Sequence, residues 1–247
     1  VFLFAMGNIS QPIYILLAGL GVLLFGVFIK HQTKRENPLL RIHAMRANRL
    51  LNRSLLAAFF VYGSSFSLVF LLSIYLQYVH GLTPVEAGQI VMIQALVMMF
   101  LSPIAGRLSD KYEPRHLSTL GCALFAIGYV MMSQVDGETS MPYIVAIVAI
   151  VGVGFGLFSA PNNNAAMGSV APDRLSIVSA LINLARTMGN MVSSAIVMVL
   201  FTVVLGDVAI TPDQYPNLIL VIKVAMWLAA GYVTIAGIFS YRRGLTH

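Results

Sequence analysis

One apolar stretch of the chain carries the polar side chains that are best spaced to do chemistry together. They recur at steps of three or four residues: Ser176, Ser179, Asn183, Arg186, Asn190 and Ser193. On a helix this spacing places them along one face. Such a face is costly against lipid, so it should lie against other helices or a water-filled cavity. Arg186 would lie about 18 Å along the helix axis from Arg174, near the middle of a membrane.

Arg186 could act in two ways, and the sequence leaves both open. It either binds backbone carbonyl groups of neighbouring helices as a structural tie, or lies in a cavity where it binds an anion or water. The chain offers no nucleophile–base pair, no paired carboxylates, and no histidine or cysteine spacing typical of a metal site. These residues predict neither an enzyme nor a site for a metal or cofactor.

The composition indicates the surroundings in which these side chains lie. Of 247 residues, 58% are hydrophobic and 10% are charged, whereas a soluble domain has roughly 45–50% apolar and about 25% charged residues. Lipid must therefore surround much of the surface, and apolar stretches of about 20 residues favour helices over barrel strands. Seven such segments lie near residues 12–30, 55–79, 85–105, 116–134, 142–160, 176–205 and 217–240. The sequence predicts an all-α integral membrane protein with seven transmembrane helices.

The basic residues predict the orientation of these helices. Thirteen of the fifteen Lys and Arg residues lie in or beside the connections that follow the first, third, fifth and seventh segments. The other connections, 80–84, 134–142 and 206–216, contain no Lys or Arg. By the positive-inside rule, residue 1 should be extracytoplasmic and the C-terminus cytoplasmic in the cell membrane. Because the basic residues form short clusters between apolar segments, the net charge of +6 does not indicate a nucleic-acid partner.

The connection after the third segment contains the most specific motif, Gly106-Arg-Leu-Ser-Asp110-Lys111-Tyr-Glu-Pro-Arg115. Asp110 can cap the N-terminus of the following helix and pair with a nearby Arg, which would tie two helices together. The motif resembles the signature turn of the major facilitator superfamily, which Gly106, Leu108, Asp110, Lys111 and Arg115 match by residue type.

Three further stretches narrow the resemblance. Residues 75–88, 161–172 and 179–189 are similar to sequences of the fourteen-span drug:proton antiporter family within that superfamily. The resemblance implies that residues 1–30 are the tail of a preceding helix and one linker transmembrane helix. Residues 31–54 would be a basic cytosolic or interfacial linker, and residues 55–247 the six-helix C-terminal half of a major facilitator fold.

The same resemblance implies a function and a set of site residues. The whole protein would export drugs or other amphiphilic small molecules in exchange for protons, by alternating access between this half and an N-terminal half. The first and fourth helices of the half would line the cavity with Ser64, Ser67, Tyr75, Phe155, Phe158 and Asn162. Gln94, Asn183, Arg186 and Asn190 would lie where the two halves meet. Every acid in this chain lies in a connection or at a span end, and the resemblance places the proton-binding carboxylates in the N-terminal half.

Two other kinds of protein remain open at this point. Lys223 lies in the last of seven apolar segments, a position compatible with a self-contained seven-helix receptor or a retinal protein. The simpler interpretation is that its long side chain extends to the outer membrane interface. The other alternative is a membrane protein that transports nothing and uses the fold to bind a partner or lipid.

Overall fold

The computed structural model describes residues 48–206 and 210–243, which are helical nearly throughout and contain no strand. Six α-helices follow one another along the chain: α1 (Arg49–Tyr78), α2 (Pro84–Ser109), α3 (Pro114–Met132), α4 (Met141–Gly168), α5 (Leu175–Val204) and α6 (Tyr215–Arg242). Short 3-10 helices, Pro172–Arg174 and Pro212–Gln214, lead into α5 and α6. The predicted all-α architecture is therefore observed in these parts of the chain.

Five of these helices are long and apolar enough to cross a membrane: α1, α2, α4, α5 and α6. The remaining helix, α3, has only 19 residues and carries the polar pair Arg115 and His116 in its first turn. The predicted first span, 12–30, lies outside the described residues. The total of seven transmembrane helices thus stays a prediction.

Two helices extend beyond the bounds expected from hydropathy. α1 begins at Arg49, inside the predicted linker 31–54, because Asn48 caps it by accepting a 3.0 Å hydrogen bond from the Leu51 amide. Most of that linker lies outside the described residues. α4 continues through Pro161 to Gly168 instead of ending near residue 160. A proline inside a helix removes one backbone hydrogen bond, and side-chain contacts from the following asparagines hold this end of α4 in place.

The helices form two interlocked units of three that run in opposite directions. α1 packs mainly against α5 and α6, whereas α4 packs mainly against α2 and α3. Exchanging the unit α1–α3 with the unit α4–α6 therefore reproduces the same set of neighbours. α3 and α6 also pack against each other, and α1 meets α4 at the centre. This pattern is that of an inverted repeat, with each central helix buried among helices of the other unit.

Glycines allow the backbones of crossing helices to approach closely. A Cβ atom placed on Gly121 of α3 would lie 2.7 Å from the Gly154 carbonyl oxygen of α4, and one on Gly154 would lie 2.9 Å from the Gly121 carbonyl oxygen. At the α1–α5 crossing, a Cβ atom on Gly189 would lie 2.8 Å from the Gly63 nitrogen. These obstacles are backbone atoms, so no side-chain movement relieves them. Small residues of this kind are what close packing in lipid requires.

We expect Gly121→Ala to destabilise the intact protein by about 1–3 kcal/mol, the usual cost of overpacking, because the added methyl group meets the backbone of α4. The measurement is the melting temperature of the purified protein in detergent. Gly231→Ala in α6 is the matched control, since nothing lies within 4 Å of a Cβ atom there. Equal melting temperatures for the two variants would contradict this account of the α3–α4 crossing.

Candidate functional site

An open cleft of about 420 Å³ lies between α2 and α5, with α1 and α4 at its base. Its polar side chains are Ser65, Gln94, Arg186 and Asn190, and its remaining lining is aromatic or aliphatic. The apolar stretches of α2 and α5 bury only 6% and 22% of their residues, against 44% to 56% in α1, α4 and α6. The cleft therefore opens on the least covered face of the bundle.

Arg186 is exposed in this cleft and is oriented by two neighbours. Its Nη2 donates a 2.7 Å hydrogen bond to Asn183 Oδ1, one turn earlier on α5. Its guanidinium carbon lies 5.4 Å from the ring centroid of Tyr62 on α1, which is a cation–π contact. Among the described residues it makes no hydrogen bond to a carbonyl group of another helix. This geometry favours the cavity role of Arg186 over the structural tie.

Aromatic rings connect the cleft to the core. Tyr62 meets Phe155 edge to face at 5.3 Å between ring centroids, and Phe155 meets Phe125 in the same way at 5.6 Å. Phe125 in turn stacks on Tyr129 at 5.8 Å. Such pairs prefer defined orientations, and Phe125 and Tyr129 are fully buried. The ring beneath Arg186 is therefore held by a chain of packed side chains.

The structure brings four of the predicted cavity and interface residues together at the cleft: Gln94, Phe155, Arg186 and Asn190. Asn183 joins them as the partner of Arg186. Ser64, Ser67, Tyr75, Phe158 and Asn162 are instead buried between helices, away from the cleft.

Two of these buried residues bond to other helices near the middle of α1. The hydroxyl groups of Ser67 and Ser193 lie 2.6 Å apart and join α1 to α5. Tyr129 of α3 donates a 3.1 Å hydrogen bond to Ser64 Oγ. These serines thus satisfy buried polar groups at helix crossings. Ser193, the last member of the predicted polar face of α5, also belongs to this packing.

Tyr75 closes the end of the bundle whose connections lack Lys and Arg, here called the acidic end. Its hydroxyl group donates to the Asp136 carbonyl oxygen at 2.5 Å and lies 3.1 Å from His80 Nε2. Burial lowers the pKa of His80, which favours the neutral ring at physiological pH. Phe158 lies toward the opposite end of α4 and is fully buried.

Asn162 belongs to a buried polar cluster at the opposite end, here called the basic end. Arg243, with only 3% of its surface exposed, donates from Nη1 to Asn162 Oδ1 at 3.1 Å and from Nη2 to Ser118 Oγ at 3.0 Å. Asn162 Nδ2 donates in turn to the Ser54 carbonyl oxygen at 3.2 Å. The cluster links α6, α4, α3 and α1.

Arg243 was not singled out by the sequence, where it counts as one more cytoplasmic charge. Burial lowers the pKa of its guanidinium group to about 10, so the group stays protonated at neutral pH. The nearest sequence signal is the asparagine triplet that follows Pro161. Three consecutive amides inside an apolar helix require polar partners, and two of them have partners on other helices.

The signature turn differs from the capping prediction. Asp110 forms the C-cap of α2, whereas Glu113 occupies the N-cap position of α3 without a capping hydrogen bond from its side chain. Asp110 and Lys111 are exposed, and within the described residues the Asp110 carboxylate forms no ion pair or hydrogen bond. The turn is long enough that Asp110 ends one helix before the next begins, which explains the difference.

A different residue fastens this turn to the bundle. Ser109 Oγ accepts a 2.8 Å hydrogen bond from Asn164 Nδ2 of α4 and donates to the Gly106 carbonyl oxygen at 2.7 Å. Arg115 is half-buried in the first turn of α3. The turn is thus tied to α4 by a neutral pair.

Two opposed three-helix units beside an open cleft are an arrangement typical of membrane transport proteins. Residues 2–194 match the sequence profile of the Major Facilitator Superfamily, and the chain belongs to this family. It is a multi-pass membrane protein of a transporter family and not an enzyme. The family assignment leaves the seven-helix receptor and retinal-protein interpretations without support.

Several curated transporters are similar to this chain. It is 32% identical over 105 residues to the riboflavin transporter RibZ of Clostridioides difficile, which covers 42% of this chain and 23% of that protein. It is 28% identical over 204 residues to a multidrug resistance protein B homolog of Mycobacterium tuberculosis. This match covers 80% of this chain and 37% of that protein. With the multidrug efflux pump LfrA of Mycolicibacterium smegmatis the identity is 24% over 182 residues, and the match covers 74% of this chain and 36% of that protein. The chain thus spans between 23% and 37% of the length of these relatives.

The fold is similar to that of a solved transporter. A bacterial homolog of the human lysosomal transporter Spinster, in an inward-facing and unoccupied conformation, superposes with a TM-score of 0.66 at 19% identity. The match covers 85% of this chain and 52% of that one. At this identity the likeness concerns the fold alone.

We expect Asn162→Ala to lower the stability of the intact protein by about 1–3 kcal/mol, because it leaves the buried Nη1 group of Arg243 without its acceptor. Asn163→Ala, at the next position, is the control and should be close to neutral. The check is thermal unfolding of both purified variants beside the parent protein. A loss of stability of the same size in Asn163→Ala would show that the cluster has no special role.

Proposed function

We propose that this chain forms one half of a proton-coupled exporter of amphiphilic small molecules, and that a second six-helix half closes its cleft. The observation that carries the proposal is the open cleft at Arg186, flanked by the two least buried helices, α2 and α5. A transporter cavity has to be reached from one side of the membrane at a time. A cleft that lies on an uncovered face suits a cavity shared between two rocking halves.

The orientation of the bundle belongs to the same proposal. The basic end, with Arg49, Arg107, Arg174 and Arg243, should face the cytoplasm of the cell, and the acidic end, with Asp136 and Glu138, the exterior. Each polar tie described above lies at one of these ends or deep inside the half. The cleft face of the half is left free to move against its partner.

The lining of the cleft favours amphiphilic substrates. Tyr62, Phe66 and Phe155 offer aromatic surfaces for planar molecules, and Met98 offers a flexible apolar side chain. The side-chain amides of Gln94 and Asn190 supply both hydrogen-bond donors and acceptors. A volume of about 420 Å³ falls in the range of drug-binding pockets, roughly 300–1,000 Å³. Two relatives with multidrug names point to the same class of substrate.

Proton coupling requires a titratable group that this half does not place at the cleft. Within the described residues, every carboxylate lies at a helix end or in a connection: Glu86, Asp110, Glu113, Asp136, Glu138, Asp173 and Asp213. We assign proton binding to carboxylates of the other half. Arg186 would face them across the cavity and lower their pKa values when the cleft is closed, so that proton release accompanies closure.

We expect Arg186→Ala in the intact protein to abolish export of a fluorescent amphiphilic compound from cells without changing expression or melting temperature. Thr187→Ala is the matched control, because its hydroxyl group bonds only to its own helix at the Asn183 carbonyl oxygen. This control should export at the parent rate. Full export by Arg186→Ala would rule out a functional role for the arginine.

Collapsing the proton gradient tests proton coupling separately from export itself. A protonophore should stop export by the parent protein within the time of the assay. Export that continues unchanged would contradict proton coupling, while the assignment as an exporter would remain. Absence of export in the parent protein, with compounds of several classes, would contradict the exporter itself.

A further inference from the structure

A second cavity lies on the opposite side of the bundle from the cleft. This groove, of about 490 Å³, runs between α3 and α6 and ends at Tyr241 and Arg242 on the basic end. We propose that it binds an anionic phospholipid, with one acyl chain between the helices and the headgroup at Arg242. The substrate cleft shares no residue with it, so the lipid site is separate from the transport site.

The walls of the groove suit a hydrocarbon chain. Its two threonines satisfy their hydroxyl groups within their own helices: Thr119 Oγ1 donates to the Arg115 carbonyl oxygen at 2.6 Å, and Thr234 Oγ1 to the Ala230 carbonyl oxygen at 2.8 Å. Neither hydroxyl group therefore needs a polar ligand. Ala123, Ala126 and Gly237 have small side chains or none, and this leaves space in the groove. A long apolar chain fills such a space without an unpaired polar group.

The end of the groove carries the charge that selects a headgroup. Arg242 lines the groove and is exposed, and the ring of Tyr241 lies 6.4 Å from that of His116 on α3. Arg115 and Arg243 add positive charge at this end. The acids of the preceding turn, Asp110 and Glu113, offset part of it, and Glu113 interacts with Arg243. Basic pockets between helices on the cytoplasmic side favour anionic over zwitterionic headgroups.

The extent of the groove favours a lipid over another helix. Its lining covers residues 119–126 of α3 and 233–242 of α6, roughly 10–14 Å of each helix. A neighbouring transmembrane helix would require a contact along most of the membrane thickness, which is about 30 Å. A short groove that opens at the charged end matches one acyl chain hanging from a headgroup.

Native mass spectrometry of the intact protein with phosphatidylglycerol and phosphatidylcholine tests the proposal. The parent protein should retain phosphatidylglycerol preferentially, and Arg242→Gln should reduce that retention about fivefold, the effect of one basic residue near a membrane surface. Ala126→Leu, which fills the groove, should also reduce it. Two controls should change nothing: Arg107→Gln removes an exposed charge from the end of α2, and Leu120→Phe adds bulk on the exposed face of α3 outside the groove.

Three results would overturn the proposal. The first is equal retention of both lipids by the parent protein. The second is a loss in Arg107→Gln as large as that in Arg242→Gln, which would indicate general attraction to basic residues. The third is an unchanged retention in Ala126→Leu together with a loss of stability or of self-association, which would show that a helix of this chain or a second copy fills the groove.

Discussion

Helices in lipid cannot use the hydrophobic effect to find one another, because a lipid tail is as apolar as a leucine side chain. What remains is close contact between surfaces of matching shape, and here that contact depends on glycines. Gly121 meets Gly154, and Gly63 meets Gly189, and a methyl group on Gly121, Gly154 or Gly189 would collide with backbone atoms of the facing helix. The positions of α3 against α4 and of α1 against α5 follow from these crossings. The same crossings determine the position of the base of the cleft. Tyr62 of α1 is adjacent to Gly63, and Phe155 of α4 is adjacent to Gly154.

Buried polar groups complete what close packing begins, and their distribution is uneven. The Tyr75 contacts hold the acidic end, the Arg243 cluster holds the basic end, and the Ser67–Ser193 pair holds the α1–α5 crossing. By contrast, Arg186 bonds only within its own helix and rests on an aromatic ring. A bundle built in this way is held firmly inside and keeps its uncommitted polar groups on one face. Under the proposed function, this division suits one half of a transporter that moves against the other.

The sequence predicts the architecture better than it predicts individual contacts. Among the described helices, hydropathy placed most ends within about four residues but missed the start of α1 and the end of α4 by six and eight residues. The three-to-four spacing identified Arg186 as a residue of interest, since this signal is local too. The direction in which a side chain points depends on partners far along the chain. Ser64 and Asn162 were expected at the cavity but lie between helices. α1 carries small polar residues on more than one face, and Asn162 of α4 bonds to Arg243 and to the Ser54 carbonyl oxygen. The buried position of Arg243 was not predicted for a related reason. Counting charges cannot distinguish an exposed arginine from a buried one.

The exchange of neighbours between the two three-helix units has a consequence for biogenesis. α1 leaves the ribosome first among the described helices, yet its main partners are α5 and α6, and Ser67 bonds to a residue 126 positions later. Until those helices are inserted, α1 lacks most of its native packing surface and has only its smaller contacts with α2, α3 and α4. Ser67 then lacks its hydrogen-bonding partner on α5. The six described helices therefore complete their packing late, when α5 and α6 supply the main neighbours of α1.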